Sequence, residues 1–279
     1  MQDAFAHCEA LVRASDKDRF LSALFAPAEH RGALYALYAF NLEVARVREL
    51  VKEPLAGEIR LQWWREAITG GRAQEVSGHP VASALVEVIG RYGLPLDLFE
   101  ELIEARHLDL GGELLGSLDQ VELYAKHTSA NLIDLAARIL GAPAEGMAAP
   151  AGASMTIVSL LRMFPLDAAR ARLFIPTDML VRHAVLPQDI LAGQSSDGLI
   201  AALSSLRELA AQRYEEARAA TSETAPTVIA AWLPVALVPL YLRALQRGER
   251  EPFRPVDVPQ WRRQWVLWRT ARTGRLPAL

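Results

Sequence analysis

The sequence predicts an all-α protein, a single-domain helical bundle over residues 1–279, from three observations. Apolar residues recur at spacings of three and four in nearly every segment, and no segment alternates as a β-strand does. Hydrophobic residues make up 51% of the chain and charged residues 23%, which is ample material for a core. Apolar stripes this numerous need mutual burial, so we expect a compact bundle of roughly ten helices rather than a solenoid.

The helices of the first half are predicted from their apolar stripes and their end signals. Ser15 and Asp18 have the spacing of a capping box, and Pro54 suits the first turn of a helix. Glycine pairs and a Gly-Leu-Pro turn separate the segments. The predicted helices run from residue 15 to 25, 28 to 52, 54 to 69, 80 to 91 and 95 to 108.

In the second half, we predict that Asp119 caps a helix closed at Gly141. The next helix is expected to end near Met163, because Pro165 follows and proline disrupts a helix interior. An irregular stretch follows, up to residue 176. The remaining predicted helices cover residues 197–220, 225–245 with proline kinks, and a final segment from residue 259.

Bulk properties exclude several classes of protein. The net charge of -3 gives no global field for a nucleic-acid partner. Cys8 is the only cysteine, which excludes internal disulfides and thiolate metal sites. The N-terminal stretch carries acids and no apolar core, unlike a signal or transit peptide. The longest apolar run, residues 229–242, is shorter than the roughly 20 residues of a membrane span, so we expect a cytoplasmic protein.

One predicted helix, YAFNLEVARVREL at residues 38–50, carries a cluster of charge. Arg46 lies one turn from both Glu43 and Glu49, and such pairs contribute only about 0.2–0.5 kcal/mol each on an exposed helix. Spacing alone therefore favours a solvated ladder of salt bridges. The alternative is a functional site, or what remains of one.

Ordered segments of the chain resemble the squalene/phytoene synthase family. They are LYAF at 37–40, QWWRE at 62–66, HPVASAL at 79–85, LIEARHLDL at 102–110, LYAKHTSANLIDLAARILG at 123–141 and LLRMFPLDAARARLFIPTDML at 160–180. Their order and spacing make the resemblance specific, and it covers residues 19–263. It implies an all-α isoprenoid (terpenoid) synthase-like fold.

The resemblance also implies a chemistry. Active family members join two prenyl diphosphates head to head, using two aspartate-rich motifs on facing helices, each with carboxylates four residues apart. Ionisation of a prenyl diphosphate leaves a highly charged pyrophosphate, which Mg²⁺ ions bridge to protein oxygens. Spacing of four residues puts both carboxylates on one helix face.

This sequence departs from the family at both motifs. The first acidic pair falls on Ala45 and Glu49, and a further aspartate position falls on Arg46, which replaces an anion by a cation. The second pair falls on Met163 and Asp167, with Pro165 between them. Two single carboxylates do not make a Mg²⁺ cluster, so we expect that metal-dependent prenyl transfer is lost, with no catalytic residue and no bound metal.

Other residues match family positions near the pocket, namely Arg31, Tyr38, Tyr124, Arg162 and Arg172. They are candidates for binding an anion or a lipid-like ligand, although each arginine could equally form a structural ion pair. The segments at 102–110, 124–141 and 160–176 most resemble the branch of the family that includes mitochondrial complex I assembly factors, which likewise lacks intact aspartate-rich motifs. That branch implies respiratory-complex subunits as partners, in a protein peripheral to the inner membrane.

Two alternative functions stay open. The first is an active head-to-head prenyltransferase whose altered ligands still hold Mg²⁺, and the second is a module that binds a prenyl lipid without turnover. The last helix raises a separate question, because Trp261, Trp265 and Trp268 recur at helical spacing among arginines. They could touch a membrane surface, or they could pack the helix onto the bundle while arginine stems cover their edges.

Overall fold

The computed structural model describes residues 2–51, 53–111, 116–144, 146–221 and 226–279, and these residues contain helices and no strand. The all-α prediction is confirmed. The α-helices are α1 Gln2–Ser15, α2 Lys17–Ala23, α3 Ala28–Ala45, α4 Val47–Leu50, α5 Pro54–Ile68, α6 Ala73–Gly78, α7 Pro80–Tyr92, α8 Leu96–Gly111, α9 Leu118–Ala125, α10 Asn131–Ile139, α11 Ala148–Ala169, α12 Thr177–Arg182, α13 Pro187–Leu191, α14 Asp197–Ala220, α15 Ile229–Trp232, α16 Val238–Arg247 and α17 Gln260–Thr273.

Several predicted helix ends in the first half are wrong. Asp16, not Ser15, caps α2, because its carboxylate accepts the N–H of Arg19 at 3.0 Å. Proline stands at the start of α5 as predicted. The helix expected over residues 28–52 instead ends at Ala45, and α4 begins after a turn at Arg46.

The helix expected from Asp119 to residue 140 is two helices joined by a π-helical turn, Lys126–Ala130. Ser117, not Asp119, caps α9, because its hydroxyl accepts the N–H of Gln120 at 3.3 Å. The π-helical turn lies against Gly152 of α11, where an added Cβ would stand 2.5 Å from the backbone nitrogen of Ala130. Only glycine fits this close approach of two backbones.

The apolar segment after residue 226 is buried and interrupted, as the prolines predict. It begins with a 3-10 turn, Pro226–Val228, and α15 and α16 are separated by a second 3-10 segment, Leu233–Leu237. By length and composition, Ile229–Arg247 and α11 would each pass as a membrane span, but more than half of each is buried within the protein. Core helices of soluble proteins pass the same test, so this resemblance to a span is weak.

Contacts divide the chain into two compact units, and the single domain over residues 1–279 stays a prediction. Unit 1 comprises Met1–Gly111, Asn131–Glu145 and Thr224–Pro234. In it, α1, α3 and α7 pack on one another, and α10 packs on both α3 and α15. Phe40 stands at the centre of its core, with edge-on ring contacts to Trp64 at 5.2 Å and Phe99 at 5.5 Å.

Unit 2 comprises Gly112–Ala130, Gly146–Glu223 and Val235–Leu279. Its central helix is α11, which packs along α14 and also contacts α9, α16 and the π-helical turn. An ion pair between Arg213 and Glu122, with nitrogen and oxygen 2.6 Å apart, joins α14 to α9.

Candidate functional site

The first degenerate motif lies in unit 1, at the end of α3. Ala45 is the last residue of α3, Arg46 forms the turn with φ -87° and ψ -6°, and Glu49 lies in α4. The N–H of Glu49 donates to the carbonyl of Arg46 at 2.9 Å, three residues back. The two positions that would carry a carboxylate pair in an active relative therefore belong to two different helices.

The predicted salt-bridge ladder around Arg46 is wrong for the described residues. Glu43 pairs instead with Arg60 of α5, with nitrogen and oxygen 3.7 Å apart. Glu49 is exposed, Arg46 is half-buried, and within the described ranges neither makes an ion pair with the other. Arg46 thus keeps a guanidinium that no described carboxylate neutralises.

Three of the predicted positions share one face of α3. Arg31, Tyr38 and Ala45 are spaced by seven residues, which is close to two helical turns. Arg31 donates from Nε to the carbonyl of Ala26 at 2.9 Å. The structure thus brings these three together along one side of a helix.

Tyr38 is 2% exposed, and its buried hydroxyl has no hydrogen-bond partner in the described part of the chain. Burial raises the pKa of the phenol, a change that the nearby Arg19 partly offsets. The Arg19 guanidinium lies 5.8 Å from the centre of the Tyr38 ring. A buried hydroxyl without a partner is unusual in folded proteins and can mark a place where a ligand donates or accepts a bond.

Sequence reasoning missed the polar groups of unit 1 that form around this tyrosine. Arg19 pairs with Asp16 at 2.6 Å, and both side chains are mostly buried. Arg106 of α8 pairs with Asp109 at 3.2 Å and donates to the amide oxygen of buried Asn41 at 3.3 Å. The two members of each ion pair are three residues apart, a spacing that could have been read from the sequence. Nothing in the sequence around Asn41 indicated its hydrogen bond.

The second degenerate motif lies in unit 2, inside α11. The prediction that Pro165 interrupts the helix is wrong, because α11 continues through Pro165 to Ala169. Pro165 is buried, and it lines a cleft of unit 2 with Phe164, so packing offsets the hydrogen bond that proline cannot donate. Met163, at the first motif position, is 38% exposed.

Asp167, at the second position of that motif, is 7% exposed. It lines a small cleft whose other walls are apolar, formed by Leu160, Leu161, Phe164, Phe174, Ile175, Leu203 and Leu206. Its backbone carbonyl accepts the N–H groups of Arg170 at 3.0 Å and Arg172 at 2.9 Å, which closes the end of α11. The side chain belongs to the packing of α11 rather than to an open acidic surface.

The other predicted residues of unit 2 have different surroundings. The Arg162 guanidinium lies 3.8 Å from the centre of the Tyr241 ring, and its buried Nε has no hydrogen-bond partner among the described residues. Tyr124 is half-buried, and its carbonyl accepts the hydroxyl of Thr128 at 2.6 Å. Arg172 is half-buried beyond the end of α11.

The residues present do not fit a magnesium cluster. Among the described residues, no group of three or more histidine, cysteine, aspartate or glutamate side chains could hold a metal ion. At the motif positions, Ala45 and Met163 have no side-chain oxygen that could bind a metal, and Asp167 stands among apolar side chains. Mg²⁺ requires several hard oxygen ligands, so no chemical step can be derived through it here.

The tryptophans of α17 do not pack this helix onto the rest of unit 2, and that expectation is wrong. Trp261, Trp265 and Trp268 are 64%, 57% and 42% exposed. The buried residues of α17 are Leu267 and Thr270. The face with the tryptophans is therefore open to contact with something outside the chain.

Comparison with known families gives one match that spans most of the chain. The sequence profile described as squalene/phytoene synthase matches residues 12–269.

Relatives of known name fall into two groups. A rat protein named NADH dehydrogenase (ubiquinone) complex I, assembly factor 6 is 28% identical over 91% of this chain and 77% of its own length. The human protein of the same name is 27% identical over 89% of this chain and 76% of its own. A phytoene synthase from Arthrospira platensis is 22% identical over 95% and 91% of the two chains.

Solved structures agree on the fold. A squalene synthase from Alicyclobacillus acidocaldarius superposes with a TM-score of 0.78 at 21% identity, over 90% of this chain and 96% of its own. A dehydrosqualene synthase in complex with a ligand gives 0.80 at 18% identity, over 98% and 97%. These likenesses establish the isoprenoid synthase-like fold that the sequence predicted.

Proposed function

This chain belongs to the squalene/phytoene synthase family, and from that premise we propose that it is a non-catalytic member that supports the assembly of respiratory complex I. The observation that carries the proposal is Arg46. A position that would hold a metal ligand in an active relative holds a cation that no described carboxylate neutralises. A fixed positive charge repels Mg²⁺ where the chemistry would need it most.

The second motif supports the same proposal through a different property. Asp167 is buried among apolar side chains in unit 2, and Met163 offers no oxygen ligand. A carboxylate enclosed in this way is poorly placed to exchange water for a metal ion. The motif has become part of a helix interface.

The names of the relatives support the same function. Proteins named complex I assembly factor 6 from rat and human match this chain at 27–28% identity over 89–91% of its residues. The proposed partners are therefore subunits of the respiratory complex, met at the inner membrane by a peripheral protein on its cytoplasmic side. Nucleic acid is not a proposed partner, because the chain has a net charge of -3.

Deletion of the gene in its source organism tests the assembly role. We expect a fall in the amount and activity of complex I, which the wild-type gene restores. An Asp167→Asn gene should also restore it, because assembly needs the fold and not a metal ligand. Normal complex I in the deletion strain would remove the proposal.

A turnover assay tests the absence of catalysis. Purified protein with farnesyl or geranylgeranyl diphosphate and Mg²⁺ should release no pyrophosphate above a blank, while a phytoene synthase treated in parallel should. Metal-dependent release that disappears in Asp167→Ala would contradict the proposal and favour an active prenyltransferase with altered ligands.

A second candidate function is a module that binds a prenyl lipid or its diphosphate without turnover. The observations that favour it lie in unit 1, where Arg31 and Tyr38 share a face of α3 and the Tyr38 hydroxyl has no partner among the described residues. Arg46 supplies positive charge from the chain itself. A diphosphate bound at Arg46 needs no metal, because guanidinium groups bind phosphate oxygens directly.

Calorimetry with farnesyl diphosphate in the presence of EDTA tests this candidate. We expect Arg46→Ala to weaken binding by about tenfold, the size of one charge-assisted hydrogen bond. Arg91→Ala is the matched control, because Arg91 is an exposed arginine in the last turn of α7. Binding that requires Mg²⁺, or that is equal in all three proteins, would contradict the candidate.

A further inference from the structure

Helix α17 presents an unusual amount of aromatic surface to solvent. Trp261, Trp265 and Trp268 are 64%, 57% and 42% exposed, whereas Trp64 and Trp232 of unit 1 are buried. The rings of Trp265 and Trp268 stack with their centres 5.0 Å apart. Exposed apolar patches of this kind mark surfaces that contact a partner or a membrane.

The three tryptophans form one continuous face, which we call the tryptophan face. At 100° per residue, Trp261, Trp265 and Trp268 lie within about 60° of one another around the helix axis. Leu267 and Thr270 project from the other side and are buried. The helix therefore has one side that packs on unit 2 and one that faces outward.

The orientation of α17 is fixed by the residues that follow it. The Tyr214 hydroxyl of α14 donates to the carbonyl of Pro277 at 2.6 Å, and Arg243 of α16 donates to the carbonyl of Ala278 at 3.0 Å. Leu276, which directly precedes these two contacts, is buried. The tryptophan face is thus held outward by a tail that is bonded to two helices of unit 2.

Positive charge surrounds the tryptophan face. The 19 residues from Trp261 to Leu279 contain five arginines and no acid, in a chain whose net charge is -3. The Arg262 guanidinium lies 5.2 Å from the Trp261 ring centre, and that of Arg272 lies 5.3 Å from Trp268. Both cations lie over indole rings, within the range of cation–π attraction.

We propose that the tryptophan face binds the surface of an anionic lipid bilayer, with α17 lying in the plane of the interface. Indole rings prefer the headgroup region, because one part of the ring system is apolar and the N–H can still donate. The flanking arginines would bind lipid phosphates while they stay stacked on the indoles. The inference does not depend on the proposed assembly role.

Two other occupants fit less well. A second copy of the chain would bring two arginine-rich segments together across a symmetric contact, and like charges repel. An inserted peptide segment would need a groove, but the surface formed by Trp261, Gln264, Trp265 and Trp268 is shallow and open. A bilayer needs no groove and supplies the negative charge.

Co-sedimentation of the full-length protein with vesicles tests the proposal. Vesicles of neutral phosphatidylcholine are compared with vesicles that contain phosphatidylglycerol. We expect binding to the anionic vesicles that falls as salt rises, because ions screen the arginines. Trp265→Ala with Trp268→Ala should reduce the partition coefficient at least about tenfold, and Arg262→Gln with Arg269→Gln and Arg272→Gln should do the same.

Matched controls remove similar surface elsewhere. Leu55→Ala with Ile59→Ala removes exposed apolar groups of α5, and Arg13→Gln with Arg91→Gln and Arg254→Gln removes exposed arginines. Both controls should bind vesicles as the wild type does. All the altered side chains are on the surface, so we expect every variant to fold. Circular dichroism and thermal unfolding verify this.

Three results would overturn the proposal. One is equal binding by wild type and both α17 variants. Another is the absence of wild-type binding to anionic vesicles at low salt. The third is a concentration-dependent dimer that the Trp265→Ala with Trp268→Ala variant abolishes, which would assign the face to a second copy of the chain.

Discussion

The two regions where the sequence departs from the family's aspartate-rich motifs have different physical surroundings. In unit 1 the motif region has become charged and open, with a helix break at Arg46 and an exposed Glu49. In unit 2 it has become apolar and enclosed, with Asp167 buried in a continuous α11. The first change alters electrostatics and the second alters packing. Residues at the positions of a family motif can thus lie on a charged surface or in the hydrophobic core.

The largest effect should come from the packing of α11, the helix that carries the second motif. Gly152→Ala would place a Cβ 2.5 Å from the Ala130 backbone nitrogen, and a backbone cannot move aside as a side chain can. We expect a loss of about 3 kcal/mol in the free energy of unfolding. Calorimetry or chemical denaturation measures it.

The control for this change lies in unit 1. Gly90→Ala in α7 meets no atom within 4 Å, so we expect it to be neutral or to stabilise by up to about 1 kcal/mol. Equal effects of the two substitutions would break the contrast between a tightly packed α11 and the looser surface of unit 1.

The two surviving carboxylates test the contrast directly. Asp167→Ala should lower the free energy of unfolding by about 1–3 kcal/mol, because it leaves a hole and removes the interaction that a buried carboxylate makes. Glu49→Ala, on an exposed turn, should change it by less than about 0.5 kcal/mol. Denaturant titration of the two variants side by side measures the difference, and a larger effect at Glu49 would reverse our reading.

Two buried tyrosines sharpen the comparison at the level of one hydroxyl. The Tyr214 hydroxyl in unit 2 donates to a carbonyl, while that of Tyr38 in unit 1 has no partner among the described residues. Tyr214→Phe should therefore destabilise by about 1 kcal/mol, and Tyr38→Phe should be neutral or stabilising. If Tyr38→Phe destabilises as much as Tyr214→Phe does, the Tyr38 hydroxyl is bonded after all.

The smallest effect concerns the charges beside the first motif. Burial lowers the pKa of His79, and Arg60 lowers it further, while Glu43 opposes them. Neutral His79 also accepts the N–H of Ala82 at 3.3 Å as the cap of α7. The folded state therefore binds this proton less readily than the unfolded state, whose imidazole has a pKa near 6.5.

It follows that the contribution of His79 to stability is complete above pH 6.5 and is lost as the pH falls towards the lowered pKa of the folded state. Thermal unfolding between pH 7.5 and 5 measures this loss. His79→Asn keeps a capping acceptor without titration, so its unfolding temperature should fall less than that of the wild type over the same range. Parallel curves for the two proteins would show that His79 does not titrate differently on folding.

Much of this fold could be predicted from the sequence, because helical periodicity reports which positions are apolar. The bounds of α14 and the proline start of α5 follow from local signals alone. The π-helical turn does not, because it depends on the close approach of Gly152, far away in sequence. The continuation of α11 through Pro165 likewise depends on burial that no local pattern shows.

The candidate site was predictable in its residues and less so in its surroundings. The resemblance identified Arg46 and Asp167. Spacing could not tell that Arg46 is half-buried with no ion pair to a described carboxylate, or that Asp167 lines a cleft with apolar side chains. Helical spacing also placed three tryptophans on one face of α17. It could not say which face of that helix packs inward, because Leu267 and Thr270 gave no stronger signal than the tryptophans.

Arg46 has a consequence for how any ligand at that end of α3 would respond to its environment. A guanidinium remains protonated throughout the physiological pH range, so its charge belongs to the chain and needs no supply from solution. In an active relative, the resemblance implies that the charge opposite a diphosphate comes from free magnesium, and a chelator would remove it. A chelator cannot remove the charge of Arg46, so the affinity for a ligand bound there would stay constant while cellular magnesium rises or falls.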